Sequence, residues 1–103
     1  MDRIHKLVQY LQASPNDSFL QHALALEYIK TGNDAEAREL FENILAKDPS
    51  YIGSYYHLAK LLGRADEIDL AKQWYEKGME VAKSVGDNHS YNELLAAYEE
   101  FLD

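Results

Sequence analysis

The chain contains no cysteine, so neither a disulfide framework nor a thiolate zinc site is open to it. No stretch approaches the roughly 20 consecutive apolar residues that cross a bilayer. The opening run Met1-Asp2-Arg3-Ile4-His5-Lys6 lacks the continuous apolar segment of a secretory signal. Together these absences imply a cytoplasmic protein with no membrane partner. Basic residues are few: 10 Lys and Arg stand against 18 Asp and Glu, a formal net charge of −8. Phosphate backbones are bound through Lys and Arg, so nucleic acid is a poor partner for such a chain. Proline is scarce too. Only Pro15 and Pro49 occur, each just before a helical segment. Period-two alternation is missing, which excludes a sheet. There is no Gly-rich phosphate loop and no Ser/His/Asp set that stands out from scattered residues. The four histidines, His5, His22, His57 and His89, include no pair at the i, i+4 spacing of a helical zinc motif. No cofactor, no metal and no enzymatic activity are expected.

What remains is a self-similar chain. Its 103 residues, 47% of them apolar, suffice for one domain. Two segments match at a spacing of 34 residues. Pro15 pairs with Pro49, Leu24 with Leu58, Ala25 with Ala59, Ala37 with Ala71 and Glu42 with Glu76. Lys30 with Arg64, Leu40 with Trp74 and Phe41 with Tyr75 are softer matches. A fixed period of this length marks stacked helical hairpins, since one hairpin cannot bury its apolar face alone.

The apolar spacing predicts helices over about Asp2 to Ala13, Ser18 to Thr31, Asp34 to Lys47, Ser50 to Gly63, Glu67 to Ser84 and Ser90 to Leu102. Asn16 or Asp17 caps the second, Asn33 or Asp34 the third, and Gly32 stops the second. Ser90 and Glu93 have the spacing of a capping box. The second helix is apolar over most of its circumference, whereas the third carries one stripe: Ala37, Leu40, Phe41, Ile44 and Leu45. Such alternation suits inner helices that are sandwiched and outer helices that face water.

These residues resemble the tetratricopeptide repeat. Its pattern asks for a large residue, then Leu, a small residue, an aromatic, Ala, an aromatic and a closing Pro. The first copy offers Gln21, Leu24, Ala25, Tyr28, Ala37, Phe41 and Pro49, departing only at Gln21. The second offers Tyr55, Leu58, Ala59, Leu62, Ala71 and Tyr75, with Lys83 in place of the closing Pro. Leu7, Tyr10 and Leu11 align with Phe41, Ile44 and Leu45. The last helix fits with Leu94 placed 36 residues after Leu58. The expected architecture is an all-α helical-hairpin solenoid, a right-handed superhelix of about six helices. Residues 1–14 form a half repeat, 15–49 and 50–85 two repeats, and 88–103 a capping helix.

The resemblance implies protein–protein interaction through a concave groove lined by inner helices. Carried over by position, the groove residues are Phe19, His22, Leu26 and Lys30 from the first repeat, and Tyr56, Lys60 and Arg64 from the second. Cations and aromatics gathered there in an acidic chain suit an acidic or C-terminal peptide, held by Lys30, Lys60 and Arg64 against Tyr56 and Phe19. A family variant that clamps chaperone tails uses Lys and Asn where His22, Leu26 and His57 stand, so that ligand is not expected. The second reading is a homodimer or larger self-assembly, built through the first helix or the Leu94–Tyr98–Leu102 face.

Overall fold

The computed structural model describes residues 2–103. It holds six helices: α1 (Arg3–Ala13), α2 (Ser18–Lys30), α3 (Asp34–Lys47), α4 (Gly53–Arg64), α5 (Ile68–Val85) and α6 (Asn88–Leu102). No strand occurs among the described residues. The protein is an all-α helical repeat. It divides into two compact units, Met1–Asp48 and Pro49–Asp103.

In the first unit, α2 packs against both α1 and α3. The core is Leu7, Leu24, Ala25, Ala37, Phe41, Ile44 and Leu45. Ala25 and Ala37 show no exposed surface, so larger side chains there would overpack the α2–α3 hairpin. α1 stops at Ser14 and α3 at Asp48. In each case the next residue is a proline, which pushes the residue before it out of the helical region.

In the second unit, α5 packs against α4 and α6, and α6 also reaches α4. Tyr55, Leu58, Ala59, Leu62, Ala71, Tyr75, Ala82 and Leu94 form its core. Trp74 is half-buried and its ring centroid lies 5.8 Å from that of Tyr55. Gly78 marks the tightest approach. A Cβ placed on it would lie 2.7 Å from Tyr55 Cβ and 3.1 Å from Leu94 Cδ1.

The 34-residue period extends to individual hydrogen bonds. Asn33 N–H donates to Tyr28 O at 2.8 Å, and Glu67 N–H donates to Leu62 O at 3.0 Å. Both close the end of an inner helix in the same way, and both follow a residue with positive φ. That residue is Gly32 (φ 80°) in one copy and Asp66 (φ 63°) in the other. A second matched pair explains why Gln21 can stand where the family asks for a large residue. Gln21 Nε2 donates to Pro15 O at 3.0 Å, and Tyr55 Oη donates to Pro49 O at 2.6 Å. Different side chains, 34 residues apart, tie the same loop to the same helix.

Two local expectations change. α4 begins at Gly53 rather than Ser50, because residues 50–52 form a turn in which Ser54 N–H bonds Tyr51 O at 3.2 Å. The cap of α6 is Asp87, three residues ahead of Ser90. Its carboxylate accepts from the Ser90 N–H at 3.0 Å and the Ser90 hydroxyl at 2.8 Å. These two bonds hold the Asp87 carboxyl below the usual carboxylate range. Glu93, freed from the box, lies 3.5 Å from His89.

Candidate functional site

The larger concavity lies in the second unit, a groove of about 760 Å³. One wall is α4. Tyr56, Lys60 and Arg64 recur at four-residue spacing and so share one helix face. Lys60 Nζ sits 5.4 Å from the centre of the Tyr56 ring, a cation–π contact. Gly53 and Gly63 on the same helix leave the wall open. The other wall is α6, which contributes Glu93, Ala96, Ala97, Glu100 and Phe101. Tyr75 of α5 also lines the groove. Its ring packs on Phe101 at 5.5 Å and Tyr98 at 5.6 Å.

The groove is thus apolar at its base and opposite in charge at its rims. Tyr56, Lys60 and Arg64 fall together as expected. The carboxylate wall was not expected from the sequence. The Leu94–Tyr98–Leu102 face proves to be largely spent on packing. Leu94 is buried beside Gly78, and the Tyr98 hydroxyl bonds Glu76, so only Leu102 remains exposed.

Phe19, His22, Leu26 and Lys30 gather in the first unit, in a separate concavity of about 240 Å³ between α1 and α2. Phe19 is 68% exposed, while His22 stacks edge-on against Phe41 at 5.5 Å. Lys30 is compensated there. Its Nζ lies 3.3 Å from Glu27, which also receives Arg3 Nε at 3.0 Å. The i, i+3 spacing of Glu27 and Lys30 was the signal for that pairing.

Electrostatics separate the groove's own titratable groups. His57 meets the Tyr56 ring edge-on at 5.2 Å. Burial, and then the nearby Lys60 charge, hold its imidazole below the ordinary 6.5. Burial pushes the Tyr75 hydroxyl up, with Tyr56 and Glu100 adding to it. The sign for His57 is definite. The folded chain takes up its proton less readily than the unfolded chain, so stability falls as pH drops through 6.5 toward the lowered folded value. The urea midpoint of the wild type is expected to decrease between pH 7.5 and 5.5. His57→Gln should flatten that slope, and an unchanged slope would place the titrating group elsewhere. Asp87 acts in a separate window, below 3.8.

Helical hairpins repeating at 34 residues, with an inner-helix groove of mixed charge, define a helical-repeat interaction protein. Comparison with known proteins agrees. Residues 18–61 match the family model for the tetratricopeptide repeat. The crystal structure of a tetratricopeptide repeat domain protein from Salinibacter ruber is 41% identical. The match covers 82% of this chain and 94% of that one, with a TM-score of 0.79. A TPR repeat-containing protein of Pseudomonas aeruginosa is 25% identical over 91 residues, 88% of this chain and 87% of that protein. The interferon-induced protein with tetratricopeptide repeats 3 of Mus musculus is 23% identical over 100 residues. That stretch is 97% of this chain but spans only 24% of the mouse protein. The chain belongs to the tetratricopeptide repeat family. The fold of this family mediates protein–protein interaction, and its members are typically non-enzymatic scaffolds. No described helix is long and apolar enough to cross a membrane.

Proposed function

We propose that the chain is a protein-interaction module that takes a partner peptide in the groove between α4 and α6. The observation that carries this reading is the facing of Tyr56, Lys60 and Arg64 on one rim by Glu93, Glu100 and Phe101 on the other. A peptide whose carboxylates lie along α4 and whose apolar side chains reach Tyr75 and Phe101 matches that arrangement. Lys60 and Arg64 then supply charge-assisted hydrogen bonds, and Tyr56 an apolar anchor. Lys30, paired with Glu27 in the first unit, plays no part in this reading. The acidic rim of α6 adds a requirement: a basic residue on the opposite side of the peptide improves the fit.

The test is peptide selection. A displayed library is panned on the wild-type chain, and the recovered peptides are measured against a Lys60→Glu/Arg64→Glu variant whose melt matches wild type. Affinity is expected to fall about tenfold or more, since reversal replaces attraction with like-charge repulsion. Peptides that bind both proteins equally would remove the site from this groove.

A further inference from the structure

The two ends of the chain are complementary halves of one repeat. α1 matches the outer helices α3 and α5, so it is an outer helix without its inner partner. α6 matches the inner helices α2 and α4, so it is an inner helix without its outer partner. Exposure marks both gaps. Tyr10 is 57% exposed, whereas Ile44, its equivalent on α3, is 0% exposed and Gly78, its equivalent on α5, is buried. On α6, Tyr91 and Leu95 are only half-buried, whereas the α4 residues 36 positions earlier, Tyr55 and Ala59, are 1% and 0% exposed. Leu102, one turn from the end, is 50% exposed.

Charge says what covers these faces. α1 carries Arg3 and Lys6 and no carboxylate, while α6 carries Glu93, Glu99 and Glu100 and neither Lys nor Arg. In the α4–α5 hairpin the C-terminal end of the inner helix meets the N-terminal end of the outer one across a three-residue turn. The same arrangement would set Glu99, Glu100 and Asp103 of one copy beside Arg3 and Lys6 of the next. We propose that the occupant is a second copy of this chain: α6 of one molecule pairs with α1 of the next and completes a repeat between them. The contact is heterologous, so each molecule keeps one free face of each kind and copies add in a row rather than stopping at a symmetric dimer. This pairing goes beyond the peptide groove and does not depend on it.

The experiment is sedimentation velocity across concentration with two surface variants, Tyr10→Asp and Leu102→Asp, each first matched to wild type by its melt. Wild type is expected to grow in mass with concentration, and less so at high salt, because the facing charges are exposed. Each variant alone is expected to associate about tenfold more weakly or worse. Mixed, they are expected to form a complex of one molecule of each that grows no further, because each supplies the face that the other lacks. A wild type that stays monomeric to millimolar concentration overturns the proposal. So does a Leu102→Asp variant that pairs with itself through α1, or a Tyr10→Asp variant that pairs with itself through α6.

Discussion

Gly78→Val is expected to destabilise the second unit by about 3 kcal/mol, the upper part of the usual range for overpacking a filled core. The first carbon added already meets Tyr55 Cβ at 2.7 Å and Tyr55 Cγ at 3.0 Å. A Cβ is fixed to the backbone of its own helix, so relief requires α5 to move away from α4. Leu94 stands 3.1 Å off on the α6 side, and escape in that direction meets a second buried side chain. Valine is the better helix former, but that recovers only a few tenths of a kcal/mol. Gly63→Ala is the control. Its Cβ meets only the ring edge of Phe101 at 2.9 Å, and that ring sits in the last turn of α6, where it can swing aside. The gain of about 1 kcal/mol from replacing a helical glycine then offsets the contact. Urea unfolding followed by Trp74, the one tryptophan, reads the second unit directly. Equal midpoints for Gly78→Val and wild type would mean that α4 and α5 do not approach as closely as described.

Most of the fold was legible because the 34-residue period and the helical apolar spacing report the same thing. α2 and α3 fall within a residue of their expected bounds. What escaped was chemistry that conserves geometry while changing residue type. Gln21 read as a departure from the pattern, yet it makes the bond that Tyr55 makes. Asp66 carries the left-handed turn that Gly32 carries, and an Asp is a weaker signal for positive φ than a Gly. The cap of α6 was misplaced because Ser90 and Glu93 have the right spacing for a box. Only the backbone shows that the chain is already helical at Asn88, which leaves Asp87 as the cap.

The site was half legible. Four-residue spacing placed Tyr56, Lys60 and Arg64 on one face of α4 without any tertiary information. The opposite wall depends on how α6 is rotated against α4. That rotation is set by Leu94 entering the space over Gly78 and by Phe101 lying on Gly63. Neither contact follows from a helical pattern alone, so Glu93 and Glu100 looked like solvated surface.

Phe41→Ala is the second large expectation, a loss of about 3–5 kcal/mol from the first unit. Phe41 has no exposed surface and lies on the stripe with Ala37, Ile44 and Leu45. Its ring meets His22 edge-on at 5.5 Å, so removal also strips an aromatic contact worth a further fraction of a kcal/mol. The cavity is hard to fill. Ala25 and Ala37 are already the smallest side chains a helix carries without glycine, and they have no length to extend into the space. The penalty therefore falls toward the cavity-retaining end of the range rather than the collapsed end. Phe41→Leu keeps most of the volume and should lose clearly less. Far-UV circular dichroism during urea unfolding reports both variants, since α1, α2 and α3 all pack around this position. A Phe41→Ala midpoint within experimental error of wild type would show that the first unit does not rest on this ring. In that case the repeat pattern, which puts an aromatic at Phe41 and again at Tyr75, would reflect the groove side of the second copy and not a shared core.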